Sequence, residues 1–153
     1  MFHVVLVEPE IPQNTGSVIR MCAATGARLH LVGRLGFTLD DARLRRAGLD
    51  YWRSVVVGLY PDMEALAARI DPARWHLFTK RGSKRYDQVA YRDGDALLFG
   101  SESVGLSARL CGTYAERTIF LPILENVRSI NLSAAVHVAI YEANRQENFK
   151  NFA

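Results

Sequence analysis

The chain has 153 residues, 49% apolar and 23% charged, with a formal charge of +3. These values fit one soluble globular domain, residues 1–153, large enough to bury a core without disulfides or a structural metal. No apolar run approaches the ~20 residues that span a bilayer, and the opening MFHVVLVEPEIP lacks a basic segment and a cleavage site, so a cytoplasmic protein without membrane contact is expected.

In chain order, short apolar runs bounded by Gly, Pro or charge predict strands at His3–Val7, Leu29–Val32, Ser54–Leu59, Trp75–Thr79, Ala96–Phe99 and Thr118–Leu121. Helical patterns alternate with them. IPQNTGSVIRMCAATGA begins with Asn14 or Thr15 as a cap and ends at Gly26. Asp62–Ile70 carries Met63, Leu66, Ala67 and Ile70 on one face. Leu132, Ala135, Val136, Ala139, Ile140 and Ala143 form a stripe, with His137, Tyr141 and Asn144 on another face. The alternation predicts an α/β domain, a mostly parallel sheet with helices on both faces. Ligands of such sheets sit at the carboxyl ends of the strands, so the loops there are the candidate site.

Known phosphate loops are absent. There is no GxGxxG, and GSESVGLS has Leu106 and Ser107 where a P-loop needs Lys and Ser or Thr. Cys22 and Cys111 form no CxxC pair, and the four histidines have no metal-ligand spacing, which predicts reduced thiols and no metal.

Three segments remain. In Asn14–Arg20, Gly16 lies four residues before Arg20. A helical side chain leans toward the N-terminus, so this glycine leaves room for the Arg20 guanidinium, expected as a fixed cation near the helix start and suited to phosphate. Taken alone, the segment is also a plain cap with a surface arginine. In Leu97–Leu106, a buried strand runs into Gly100, Ser101, Glu102 and Gly105. Glycine permits positive φ and close ligand approach, although an ordinary strand-to-helix turn has the same pattern. In Leu121–Ser133, a strand ends in Pro122, and Ser129, Asn131 and Ser133 gather at a helix start where one cap suffices. Two basic clusters complete the set, Arg43, Arg45, Arg46 and Arg53, and Lys80, Arg81, Lys84 and Arg85. From charge alone they are candidate contacts for a phosphate-rich partner such as a nucleic acid, or solvated faces.

Together and in this order, VEPEIPQNTG, DDARLRRAGLDYW, YRDGDALLFGSESVGL and RSINLSAAVHVAIYEA resemble the SPOUT superfamily of RNA 2′-O-methyltransferases over essentially the whole chain. They are similar to its small single-domain branch, which methylates the wobble nucleotide, cytidine or uridine 34, of certain leucine tRNAs. The resemblance implies a C-terminal trefoil knot, a homodimer with the active site between subunits, tRNA as partner and S-adenosylmethionine (SAM) as donor. It places SAM against Phe78, Thr79, Gly100, Ser101, Glu102, Gly105, Leu121, Pro122, Ile123, Ser129, Asn131 and Leu132. It places Asn14, Arg20, Glu102, Ser129, Asn131 and Tyr141 in the catalytic region, and makes Arg43, Arg45, Arg46, Lys80, Arg81, Lys84 and Arg85 candidate tRNA-backbone contacts. Ser17 stands where relatives commonly have Asn, and Val104 where a close branch has Arg. Relatives with similar motifs act on other tRNA or rRNA positions. A non-catalytic RNA-binding relative and a nucleotide-using small-molecule enzyme are the other readings.

Overall fold

The structure is a computed structural model that describes the backbone of residues 1–153, and every side chain except those at positions 47–49 and 57. Seven strands form one sheet, β1 (His3–Val7), β2 (Arg28–Val32), β3 (Val56–Tyr60), β4 (Trp75–Phe78), β5 (Lys84–Arg85), β6 (Ala96–Phe99) and β7 (Thr118–Phe120). Their order is β3-β2-β1-β6-β4-β7-β5. Every pairing is parallel.

Side chains alternate between the two faces along each strand, so both faces need cover. On one face Val4, Leu6, Leu97 and Phe99 pack with Val18, Ile19, Val136 and Ile140. The last four come from α1 (Pro12–Thr25) and α6 (Leu132–Gln146). The short helices α2 (Ala42–Gly48) and α3 (Trp52–Val55) add Leu44 and Val55 to that layer. On the other face Val5, Trp75, Leu77 and Leu98 pack with Leu66 of α4 (Met63–Ala67) and Leu110 of α5 (Ala108–Thr113).

Local chemistry corrects several expected boundaries. Helix α1 starts earlier than expected, with Ile11 at the N-cap and Pro12 at the first helical position, where a missing N–H costs nothing. Asn14 and Thr15 therefore lie inside the helix. Gly16 falls in its second turn and Arg20 in its third, so Arg20 is not near a helix start. Gly26 ends α1 in the left-handed region, φ 71°. Ser54 and Val55 belong to α3 rather than to a strand, because the Ser54 hydroxyl donates to the Tyr51 carbonyl at 2.8 Å and closes a helical turn. Asp62 caps α4 by accepting from Ala65 N–H at 2.8 Å. The helix stops at Ala67, and Ile70 is buried beyond it, where its carbonyl accepts the Trp75 indole N–H at 3.1 Å. Asn144, off the apolar stripe of α6, is buried too, and its amide donates to the Ile140 carbonyl at 2.8 Å.

The strand order also prepares the site. The chain runs outward through β1, β2 and β3, crosses to β4 and β5 on the other side of β1, and then places β6 beside β1, so the order reverses between β1 and β6. Strand β7 lies between β4 and β5, which follow one another in sequence. The connection of residues 79–83 therefore crosses the carboxyl end of β7. There Thr79 N–H donates to Ile119 O at 2.8 Å, and Ser83 N–H donates to Thr118 O at 3.1 Å. A side chain at Gly82 would put its Cβ 2.3 Å from the Ile119 carbonyl carbon. Only glycine permits so close a crossing.

A polar chain runs across β1, β2 and β3. His3 Nδ1 and His30 Nε2 share a hydrogen bond at 2.8 Å, and His30 Nδ1 meets the Tyr60 hydroxyl at 3.1 Å. Burial, followed by the charges of His3, Arg69 and Arg28, pushes the pKa of His30 down from 6.5 to about 4. Between those values the unfolded chain binds the extra proton. Stability from this group is thus complete above pH 6.5 and is lost as pH falls toward 4, by on the order of 2–3 kcal/mol. Urea midpoints measured across this window check the expectation, and a flat profile contradicts it.

Candidate active site

The loops following β1, β4, β6 and β7 meet at the carboxyl edge of the sheet, beside the reversal of strand order. They enclose a cleft of about 790 Å³, inside the roughly 300–1,000 Å³ range of small-molecule sites. Its floor is aromatic. Phe78 and Phe99, which end β4 and β6, stack with ring centroids 4.7 Å apart and an interplanar angle of 16°. Leu106, Leu121, Ile123, Leu132 and Ala135 add apolar wall.

The loop after β6 owes its shape to two glycines. Gly105 takes φ 78°, and its N–H donates to Ser101 O at 2.9 Å, closing a tight reversal. A Cβ on Gly100 would lie 1.9 Å from the Gly105 carbonyl carbon and 2.0 Å from Leu106 N. The loop thus folds onto its own first residue.

This reversal aims Glu102 at the start of α1. One carboxylate oxygen, Oε2, accepts Glu10 N–H at 2.7 Å. The other, Oε1, accepts Ile11 N–H at 3.0 Å and the Asn14 amide at 3.1 Å. The Asn14 Oδ1 in turn accepts the Asn131 amide at 2.9 Å. Asn131 caps α6, its Oδ1 accepting Ala134 N–H at 3.2 Å and the Ser133 hydroxyl at 2.7 Å. A continuous hydrogen-bonded path therefore joins the three motif loops through Glu102, Asn14 and Asn131. It explains the surplus of polar residues before α6, since Asn131 is the cap, Ser133 supports it, and Ser129 lines the cleft. The Ser103 hydroxyl donates to the Glu10 carboxylate and adds a further tie between the first two loops.

With both oxygens occupied, Glu102 is suited to holding loops together rather than to removing a proton. Glu102→Gln replaces one accepting oxygen by a donor facing N–H groups, which leaves them unpaired. The expected result is a loss of about 2 kcal/mol of stability and of donor affinity, measured by urea unfolding and calorimetry. A variant with unchanged stability contradicts this role.

Most residues assigned to the donor line the cleft, namely Phe78, Thr79, Gly100, Ser101, Glu102, Gly105, Leu121, Ile123, Ser129, Asn131 and Leu132. Pro122 does not. It lies on an adjoining apolar hollow with Ile123, Leu124, Val127 and Ile130. Of the remaining catalytic candidates, Asn14 lines the cleft, whereas Arg20 and Tyr141 do not. Arg20 is exposed and makes no hydrogen bond or ion pair among the described residues. Tyr141 is exposed on α6, with its ring 6.3 Å from Phe152.

The basic residues divide. Lys80 and Arg81 line the cleft. Lys84 and Arg85 form the edge strand β5, and Arg45 and Arg46 lie exposed on α2. Arg43 forks onto Asp41 at 3.2 and 3.0 Å, and Arg85 onto Asp87 at 2.6 and 3.0 Å. Residues that the sequence did not assign to the site also line the cleft, among them Ile11, Ser103, Val104, Arg128 and Ala135. Ser103 and Val104 were within reach, lying inside the second motif. Among the described residues no group of three or more His, Cys, Asp and Glu is placed to hold a metal. No described helix is long and apolar enough to cross a membrane.

A wholly parallel sheet, with a strand inserted between two consecutive ones and four loops closing on a glycine-turned cleft, defines an α/β domain of the SPOUT methyltransferase type. The chain belongs to the SpoU rRNA Methylase family, whose profile matches residues 1–141. A tRNA (cytidine(34)-2′-O)-methyltransferase of Burkholderia pseudomallei is 51% identical over 100% of both chains. Its namesake from Escherichia coli strain K12 is 47% identical over 95% of this chain and 94% of its own. Among solved structures, one described as "Structural insights into the 2-OH methylation of C/U34 on tRNA" superposes with a TM-score of 0.90 at 43% identity, covering 98% of each chain. The SpoU methyltransferase AviRb from Streptomyces viridochromogenes, in complex with AdoMet, shares the fold. Its TM-score is 0.82 at 24% identity, over 95% of this chain and 57% of that one.

Proposed function

We propose that this chain methylates the ribose 2′-hydroxyl of the wobble nucleotide of tRNA, cytidine or uridine 34 and within leucine tRNAs, with SAM as methyl donor. The observation that carries this reading is the joining of three motif loops by Glu102, Asn14 and Asn131 around one cleft. Full-length relatives bearing the cytidine-34 name support it.

The cleft fits the donor in three respects. The stacked Phe78 and Phe99 offer a flat apolar floor to a purine ring. The reversal at Gly100 and Gly105 brings backbone to the cleft wall with no side chain between. Ser101, Ser129 and Asn131 supply polar groups around the rim. When bound, SAM supplies a methyl made electrophilic by its sulfonium, and no metal is required. The chain's own work is alignment, which supplies much of the acceleration in such a transfer. Glu102 and Asn14 keep the loop of residues 100–105 and the start of α1 in register. Asn131 fixes the third loop against both.

Arg20 is a permanent cation, so its chemistry suits holding a phosphate or polarising the acceptor oxygen more than accepting a proton. It lies outside the cleft of its own chain. A second copy of the chain therefore completes the site, with Arg20 and Tyr141 presented across the interface. Val138 and Tyr141, both exposed on α6, and Leu124 and Val127 beside the cleft give that interface apolar material. The trefoil knot implied by the family belongs to this reading too, with the crossing of residues 79–83 over the end of β7 as one part of it. Lys80 and Arg81, with Arg45, Arg46 and Lys84 further out, hold the tRNA backbone.

The test is methyl transfer from labelled SAM to two tRNA transcripts that differ only by a 2′-deoxyribose at nucleotide 34. Label in the ribose form and none in the deoxy form is expected. Equal labelling of both places the methyl elsewhere and overturns the assignment.

A further inference from the structure

The cleft's charge does not balance. Lys80, Arg81 and Arg128 line it, and Glu102 is the one acidic residue among the lining positions. The Glu102 carboxylate is already taken by three N–H donors.

Three exposed arginines elsewhere in the chain close onto acids two or three residues away. Arg43 does so with Asp41, Arg85 with Asp87, and Arg145 with Glu142 at 2.7 and 2.8 Å. Arg128 has Glu125 at the same three-residue spacing, yet no pair between them forms in the structure. It lines the cleft instead, and Glu125 is not among the lining residues. All three cations are exposed at the rim, where they reach a ligand that extends beyond the cleft. A small donor carries a single carboxylate and needs one cation. Three at one mouth suit a chain of phosphates.

We propose that Arg128, acting with Lys80 and Arg81, is the phosphate clamp that holds the RNA strand across the cleft mouth, on the phosphodiesters flanking the nucleotide whose ribose enters. Arg43 and Arg85 lie outside this clamp, because Asp41 and Asp87 cancel their charge locally. This rests on the proposed RNA substrate and adds to it a residue and a division of labour. A guanidinium forks onto phosphate oxygens, and each neutralised phosphate of a single strand adds about 0.7 to the dependence of log affinity on log salt.

The experiment is a fluorescence-anisotropy titration of a labelled anticodon stem-loop RNA, repeated over a series of salt concentrations. It needs no methyl transfer. Arg128→Ala is expected to weaken binding roughly tenfold and to make the salt slope shallower by about 0.7. Arg128→Lys retains the slope, and Arg43→Ala and Arg85→Ala leave it unchanged. Calorimetry on Arg128→Ala is expected to show unaltered SAM affinity, which also reports an intact fold. Wild-type affinity and slope in Arg128→Ala overturn the proposal while leaving the methyltransferase reading untouched. Lost SAM affinity with an unchanged RNA slope overturns it by moving Arg128 to the donor's carboxylate. A wild-type protein that binds no RNA overturns both.

Discussion

Replacing Gly100 with alanine is expected to abolish methyl transfer and to weaken SAM binding by about a hundredfold or more. The new methyl would sit 1.9 Å from the Gly105 carbonyl carbon and 2.0 Å from Leu106 N. These are backbone atoms, so no side chain can rotate away. The loop must open, and overpacking of this kind costs about 3 kcal/mol, equivalent to roughly two decades of affinity. Opening the loop also withdraws Glu102 from Glu10, Ile11 and Asn14. The sheet beneath is held by its own ladder, so the far-ultraviolet circular dichroism is expected to stay that of the parent while calorimetric SAM binding disappears. A Gly100→Ala protein that binds SAM like the parent contradicts this account of the loop.

Arg20→Ala is expected to lower turnover by about two to three orders of magnitude, the range seen when one charge-stabilising donor is removed from an active site. SAM affinity and the unfolding midpoint should be unchanged, because the side chain is exposed and makes no hydrogen bond or ion pair among the described residues. The position on α1, away from the chain's own cleft, adds a second outcome. Mixing Arg20→Ala with Gly100→Ala protein is expected to raise activity well above that of either variant alone, since some mixed dimers pair an intact cleft with an intact Arg20. No recovery on mixing contradicts the shared site. Loss of SAM affinity in Arg20→Ala moves the residue to the donor instead.

Much of the fold was legible because its signals are local. Buried parallel strands read as apolar runs, and β1, β2, β4, β6 and β7 fall within a residue or so of expectation. Gly26 as a helix stop and the apolar stripe of α6 were equally direct. Strand β5 was not legible. It is the two-residue segment Lys84–Arg85, and it pairs only because residues 79–83 carry it past β7. Ser54 and Val55 misled because β-branched and apolar neighbours resemble a strand until the Ser54 hydroxyl closes on Tyr51.

The site divides in the same way. Its glycines and polar residues announced themselves by spacing, whereas their partners did not. Nothing in the sequence says that Asn14 meets both Glu102 and Asn131, which lie 88 and 117 positions away along the chain. Arg20 was expected at a helix start because Asn14 looked like a cap. Pro12 moved that start back and left Arg20 two turns inside. Arg128 opens the stretch RSINLSAAVHVAIYEA, yet that pattern assigns it no role. It is distinguished by lining the cleft without pairing with Glu125, a property of the folded loop alone.

The most direct test of ribose methylation at the wobble position is mass spectrometry of nuclease-digested tRNA from cells with and without the gene for this protein. A 2′-O-methyl group on nucleotide 34 that disappears with the gene, and returns with the wild-type chain but not with Arg20→Ala, is the predicted result. A methylation pattern at nucleotide 34 that is the same in both cells would contradict it.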